Sequence, residues 1–234
     1  QRGYSPGASI DDVAEFTMTK LAGDVLGVAD ALGFDRFDVV GHDAGAGVAW
    51  TLAGFHADRV PTVSIASVPH PAAFAAAYRS SKGGDQHERS GYMRQIVSMP
   101  RGQMEEMFVA NDHMVMKMMF AGLPEESVAE YIEIVGTPEG MRGCLDWYRA
   151  GALPRQPGEP SGVDKDFPPI EIPTLYVWSD NDPALGREGA EATEQFVTGP
   201  YRFVVLEGVD HWIPERAPER FNEELLAHLG SHPA

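Results

Sequence analysis

Residues 37–50, FDVVGHDAGAGVAW, constrain this fold more than any other stretch. An apolar run (Phe37, Val39, Val40) ends at Gly41, one acidic side chain stands at Asp43, and Gly45 and Gly47 precede a second apolar run. The pattern predicts strand, sharp turn and helix, because glycines flanking one residue let two backbones pass closely. It has the layout of the nucleophile elbow G-x-S-x-G, with aspartate where serine usually stands. The tip residue is presented at the mouth of a sheet, beside the positive end of a new helix. Aimed N–H groups and the helix dipole keep a carboxylate ionised there. An anion in that place also fits a structural cap, so the motif alone leaves both readings open.

Charge excludes some partners. With 18 Lys+Arg against 35 Asp+Glu, the formal charge of the 234 residues is −17. Such a surface repels a nucleic-acid backbone, and no basic stretch interleaved with aromatics offsets it. Cys144 is the one cysteine, so an internal disulfide and a cysteine-based zinc site are both excluded. Its apolar helical surroundings argue against a nucleophilic thiol. No run of about 18 apolar residues is present, and no charged-then-apolar leader. A soluble, cytoplasmic protein without membrane association is expected; a homodimer is compatible with the sequence, which does not specify the oligomeric state. The chain opens at Gln1 in a Gly/Pro-rich loop. Strands should precede an elbow, so the expectation is the C-terminal part of a longer chain.

Periodicity lays out the rest. After a loop over 1–12, Met18, Leu21, Val25, Val28 and Leu32 recur at threes and fours, predicting an amphipathic helix stopped by Gly33. The elbow strand covers 35–41, the helix after it 44–57, and a second strand 59–68. From 72 to 150 no strand is evident, and helical patterns carry nine of the ten methionines. Methionine fills irregular apolar gaps, so this insert reads as an adaptable core and as a pliable lid over a site for apolar substrates. Residues 151–169, with Pro154, Pro157, Pro160, Pro168 and Pro169, read as a linker. Strands then follow at 173–179 and 201–207, with helices at 186–198 and after Pro218, where Phe221, Leu225 and Leu229 share a face. Strand–helix alternation on both sides of a helical insert predicts an α/β fold, a doubly wound parallel sheet with a cap. The divisions are 1–71 (first part of the core), 72–169 (cap and linker) and 170–234 (second part of the core).

Function in such sheets gathers at the carboxyl ends of the strands. Those ends hold Asp43, then Asp182 with Asp180, then His211: nucleophile, acid, base, in the chain order of one class of hydrolases. Asp182 in SDNDP is also a common turn residue, and His211 a common loop residue. Three such residues at successive strand ends outweigh those readings. GHDAGAG lacks the Lys-Ser/Thr of a phosphate loop, and Asp180-Asn181-Asp182 has Leu185 where a calcium loop needs glycine. The other histidines show no ligand spacing, so no metal and no cofactor is expected.

These segments together resemble the α/β-hydrolase superfamily and, within it, the epoxide hydrolases. GHDAG is similar to their nucleophile segment, PTLYVWSDNDPAL to the acid-bearing strand and turn, and GVDHWIPERAPERFNEEL to the histidine segment. Arg2-Gly3-Tyr4-Ser5 resembles a loop after an earlier strand. The resemblance favours Asp182 over Asp180 as the acid and implies two cap tyrosines that hold the epoxide oxygen. Tyr148, in LDWYR, matches the second of them. Tyr92 is the first, with Tyr78 and Tyr131 as competitors. It implies attack by Asp43 on an epoxide carbon, then hydrolysis of the ester by water activated by His211 and Asp182. The Ala44 N–H is one oxyanion donor. The other is expected from an HG-containing loop that these residues do not include, so residues 1–234 alone are expected not to turn over. His42 packs in the elbow and, with Trp147 and Trp212, is a candidate for lining the substrate, a small apolar epoxide. Haloalkane dehalogenases are the nearest rival, but they carry tryptophan after the nucleophile, and fluoroacetate dehalogenases arginine. Ala44 supplies no side-chain donor. A serine esterase disagrees with Asp43. A non-catalytic fold that only binds an apolar ligand would not require all three of Asp43, Asp182 and His211.

Overall fold

The computed structural model describes residues 1–5, 7–80, 85–153 and 167–232. Pro154, Pro157 and Pro160 of the expected linker lie outside them. The chain forms two compact units, Gln1–Asp24 with Tyr92–Gln156 and Val25–Gly91 with Pro157–Ala234.

The second unit holds the sheet: β1 (Val39–His42), β2 (Val63–Ala66), β3 (Thr174–Ser179) and β4 (Tyr201–Leu206), all parallel and in the order β1-β2-β3-β4. Every strand is shorter than its apolar run. The trimming falls mainly at the amino ends: β1 starts at Val39 and runs on to His42, and β3 loses only Pro173. β2 and β3 are buried throughout, as strands covered on both faces must be. Alternation sends Val63, Ile65, Tyr176 and Trp178 to one core, where Trp50, Phe167 and Ile170 meet them. Ala66, Leu175 and Val177 face the other core, with Leu206, Ile213 and Phe221. β1 ends the strand order, and its Val40 is 47% exposed.

Helix α1 (Met18–Leu32) follows a 3₁₀ turn at Val13–Phe16 that Asp12 caps through the Ala14 N–H. Its buried stripe is Leu21, Ala22 and Ala29, whereas Val28 and Leu32, counted in the expected stripe, are largely exposed. The small alanines take the inward face, so the stripe is rotated from the one that the larger side chains suggest. Helix α2 (Ala44–Phe55) links β1 to β2. The chain continues through α3 (Pro71–Arg79), α4 (Gln86–Arg89), α5 (Gly91–Ser98), α6 (Gln103–Met119), α7 (Glu125–Val135) and α8 (Pro138–Gly151), with no strand among the described residues. α6 is broken at 110–113, where Asn111, Asp112 and His113 all take positive φ. Asparagine and aspartate tolerate that region best. The helix expected at 186–198 is α9 (Arg187–Ala192) followed by a 3₁₀ turn, Thr193–Phe196. After β4 come α10 (Ile213–Arg216) and α11 (Pro218–Ser231).

In the first unit a buried ion network joins α6 to α8. Arg149 binds both carboxylate oxygens of Glu105, at 2.7 and 3.1 Å, and Asp146 at 2.8 Å, while Arg101 reaches Asp146 from the other side. Glu105 and Asp146 are fully buried, so each needs its cationic partner.

Candidate active site

The site starts at Gly41. A Cβ there would lie 2.5 Å from the Gly45 oxygen and 2.8 Å from Ala46 Cα, so only glycine lets β1 and α2 cross this closely. Asp43 between them takes φ 51° and ψ −125°. That is a strained conformation for a residue with a side chain, and such strain collects at functional positions. The Asp43 side chain stays 36% exposed at the N-terminus of α2.

Asp182 follows β3 and is almost fully buried. Its Oδ1 accepts the N–H groups of Ala184 (2.8 Å) and Leu185 (3.0 Å), and its Oδ2 accepts His211 Nδ1–H at 2.8 Å. Asp180 turns instead to the Gly208 N–H. His211 Nε2 lies 3.6 Å from Asp43 Oδ2. One imidazole thus spans two carboxylates contributed by strand ends 139 residues apart (182 − 43). The His211 carbonyl is held by His42 Nε2–H at 2.9 Å and Ser67 Oγ–H at 3.0 Å. The rings of His42 and Trp212 flank the imidazole at 5.0 and 5.4 Å between centroids.

Charge follows from this arrangement. Burial disfavours a charged His211, but the hydrogen bond to Asp182 and the nearby Asp43 outweigh it and lift its pKa to about 10. At neutral pH it is an imidazolium. Burial pushes the Asp43 carboxyl up. The imidazolium of His211, the neighbouring His42 and the Ala44 N–H prevail and hold it below the ordinary carboxylate range. Burial and the His211 charge push the His42 pKa below the ordinary histidine value, against the pull of Asp43. The Cys144 thiol is raised to about 11 by burial, which keeps it protonated.

In the other unit, Tyr92 on α5 and Tyr148 on α8 meet edge to face, 5.8 Å between ring centroids. Of the competing tyrosines, Tyr131 stacks on Phe120, and Tyr78 lies against Phe74 and His87. Trp147 is buried against Tyr4. Its indole nitrogen has no hydrogen-bond partner among the described residues.

Over residues 1–224 the sequence matches the profile of the Alpha/beta hydrolase family. The chain belongs to that family. This α/β-hydrolase is 28% identical over 261 residues to Epoxide hydrolase A of Mycobacterium tuberculosis, covering 98% of the chain and 80% of that protein. It is 27% identical to Epoxide hydrolase 2 of Caenorhabditis elegans, covering 94% of the chain and 62% of that protein. The chain therefore spans less than two thirds of the worm relative. Among solved structures, one of the epoxide hydrolases found in metagenomes from hot environments is 30% identical with a TM-score of 0.80, over 99% of this chain and 80% of its own. The Bacillus megaterium epoxide hydrolase in complex with an inhibitor has a TM-score of 0.84 at 21% identity, over 98% of this chain and 81% of its own, a likeness of fold.

Within this α/β-hydrolase the structure gathers Asp43, Ala44, Asp182, His211, His42 and Trp212 around one imidazole, and pairs Tyr92 with Tyr148. Sequence reasoning missed three residues that hold the histidine loop. Ser67 directly follows β2 and anchors the His211 carbonyl, with a positive φ of 70°. Ser179 ends β3 and donates to the Asp210 carbonyl at 2.8 Å. Asp210 receives the Trp212 N–H and pairs with Arg216. The strand-end rule that singles out Asp43 also picks out both serines, but a hydroxyl there shows no chemistry until its partner is known. Among the described residues no three of His, Cys, Asp and Glu converge as a metal set. No described helix is long and apolar enough to cross a membrane.

Proposed function

We propose that this α/β-hydrolase opens an epoxide to a vicinal diol through an ester on Asp43. The observation that carries the reading is the single imidazole of His211, bonded to buried Asp182 and 3.6 Å from an aspartate at the elbow tip. Aspartate rather than serine there makes an alkyl ester, not an acyl ester, the covalent intermediate.

In the first step the Asp43 carboxylate attacks one epoxide carbon and the C–O bond breaks. Tyr92 and Tyr148 donate hydrogen bonds to the departing oxygen as negative charge develops on it. Esterification consumes the Asp43 charge, which is one cause of the raised pKa of His211. The imidazolium then gives up its proton, which balances the charge on the alkoxide, and becomes a base. In the second step neutral His211, oriented by Asp182, takes a proton from water that attacks the ester carbonyl. The Ala44 N–H stabilises the oxyanion. Collapse returns the Asp43 carboxylate and releases the diol. The relatives named above support an epoxide as substrate. So does a Bacillus megaterium epoxide hydrolase of the same fold, which was solved with a naphthyloxy-propanediol product. Ala44, with no side-chain donor for a leaving halide, favours epoxide opening over dehalogenation.

The test is a single turnover of styrene oxide by the natural gene product in oxygen-18 water, with excess enzyme. The label is expected in the peptide containing Asp43. Label passing straight into diol, with none in Asp43 after many turnovers, would refute the ester. Halide release from a haloalkane without diol from styrene oxide would reassign the reaction.

A further inference from the structure

The turn that carries Asp182 is gripped from outside by one short helix. Between Ser179 and Gly186 the chain has left the sheet, and the Asp182 carboxylate spends Oδ1 on the turn's own N–H groups. Gln86 on α4 closes the turn. Its Nε2 donates to the Ala184 carbonyl at 2.8 Å and to Ser90 Oγ at 2.9 Å, and its Oε1 accepts the Gly186 N–H at 2.8 Å. The amide orientation follows from these partners, since a flip would oppose donor to donor and acceptor to acceptor. Arg89, one helical turn on, donates through Nη1 to the Asp182 carbonyl and through Nε to Asp85. Three backbone groups of the acid turn (Asp182 O, Ala184 O, Gly186 N) are therefore satisfied by two side chains from α4. Gln86 is 1% exposed, so its amide would be costly to bury without these partners. Gly186 allows the close approach, because a Cβ there would come within 2.7 Å of Asp85 Oδ1.

We infer that Gln86 and Arg89 are positioning residues for the acid of the triad, holding the Asp182 turn so that its carboxylate stays on His211 Nδ1. The inference rests on the proposed two-step chemistry only for its kinetic consequence. Gln86 is uncharged, and its bonds to the acid turn go to backbone groups alone, so it acts there through geometry. Asp182 serves His211, and His211 works as a base only in ester hydrolysis. Loosening the turn should slow hydrolysis while attack by Asp43 proceeds.

The first experiment needs no substrate. Among the described residues Asp43, Asp182 and His42 face His211, and the bonds that Gln86 and Arg89 make to the acid turn end on its backbone groups. In Q86L the His211 imidazole, followed by NMR, is expected to titrate at least one pH unit below the wild type, as its bond to Asp182 weakens. R89M, altered at a side chain 32% exposed, should shift it the same way by less, and R89K should restore it. If folded Q86L and R89M both titrate as wild type, the inference is overturned; if Q86L does not fold, R89M against R89K decides. The second experiment is rapid-quench kinetics with styrene oxide. Q86L is expected to form the Asp43 ester within about threefold of the wild-type rate and to hydrolyse it at least tenfold more slowly. An equal loss in both steps would mean a merely structural role. A wild type that forms no ester would sink the proposed function and leave the titration to judge Gln86.

Discussion

Replacing Asp182 with asparagine should stall the reaction half-way. Oδ1 of Asp182 accepts two backbone N–H groups, at 2.8 and 3.0 Å, so the asparagine oxygen must take that place. The amide NH₂ then faces His211 Nδ1, where the carboxylate oxygen accepted a proton at 2.8 Å. Two donors cannot share that contact, so Nδ1 gives up its hydrogen and the neutral ring carries it on Nε2. That nitrogen faces Asp43 and cannot take a proton from water. A comparable aspartate-to-asparagine change behind a catalytic histidine costs about 10⁴ in rate, or roughly 5 kcal/mol at 1.36 kcal/mol per tenfold. Ester formation relies on the Asp43 carboxylate and the two tyrosine donors, not on a basic His211, and should stay within about tenfold. Rapid quench followed by intact-protein mass spectrometry would read this directly. D182N should gain the mass of one epoxide in the first turnover and keep it, while the wild type cycles. Hydrolysis by D182N within tenfold of the wild type, with melting unchanged, would refute both the assignment of the acid and the tautomer argument.

G41A forces a Cβ to 2.5 Å from the Gly45 oxygen and 2.8 Å from Ala46 Cα, so the elbow must open. A loss of about 3 kcal/mol or more, with ester formation abolished, should appear in urea melts and single-turnover assays. The pKa of His211 is raised from 6.5 to about 10, so its ion pairs stabilise the fold fully below pH 6.5, and that stability is lost as pH rises towards 10. Thermal melts across this window should fall more steeply for the wild type than for H211Q. R149M strips Glu105 of its buried partner and leaves Asp146 to Arg101. About 3–5 kcal/mol should be lost in denaturant melts, and E105M/R149M should recover much of it. Y148F should slow ester formation by about 10²-fold, as loss of one oxyanion donor does, and leave hydrolysis of the ester near the wild-type rate.

Local pattern carried the fold class and the three residues around the imidazole. Glycines at 41 and 45 can be read at once as a crossing point, because no other residue allows it. Apolar runs ending in Asp43, Asp182 and His211 mark strand ends, where a parallel sheet presents its side chains. Such signals are local, since each depends on a few consecutive residues. Residue type alone left Asp180 and Asp182 side by side, and only the resemblance to the epoxide hydrolases favoured Asp182. They stand two apart, and what distinguishes them is which carboxylate meets an imidazole arriving from residue 211. Ser67, Ser179, Gln86 and Arg89 were silent for the same reason. A hydroxyl, an amide or a guanidinium acquires meaning from the backbone group opposite it, and those groups come from elsewhere along the chain. The rotated stripe of α1 was likewise beyond periodicity, because which face is buried depends on what packs there. Chemistry that lives in residue type and spacing is written into the chain; orientation, ionisation and the grip on the acid turn exist only after distant segments meet and exclude water.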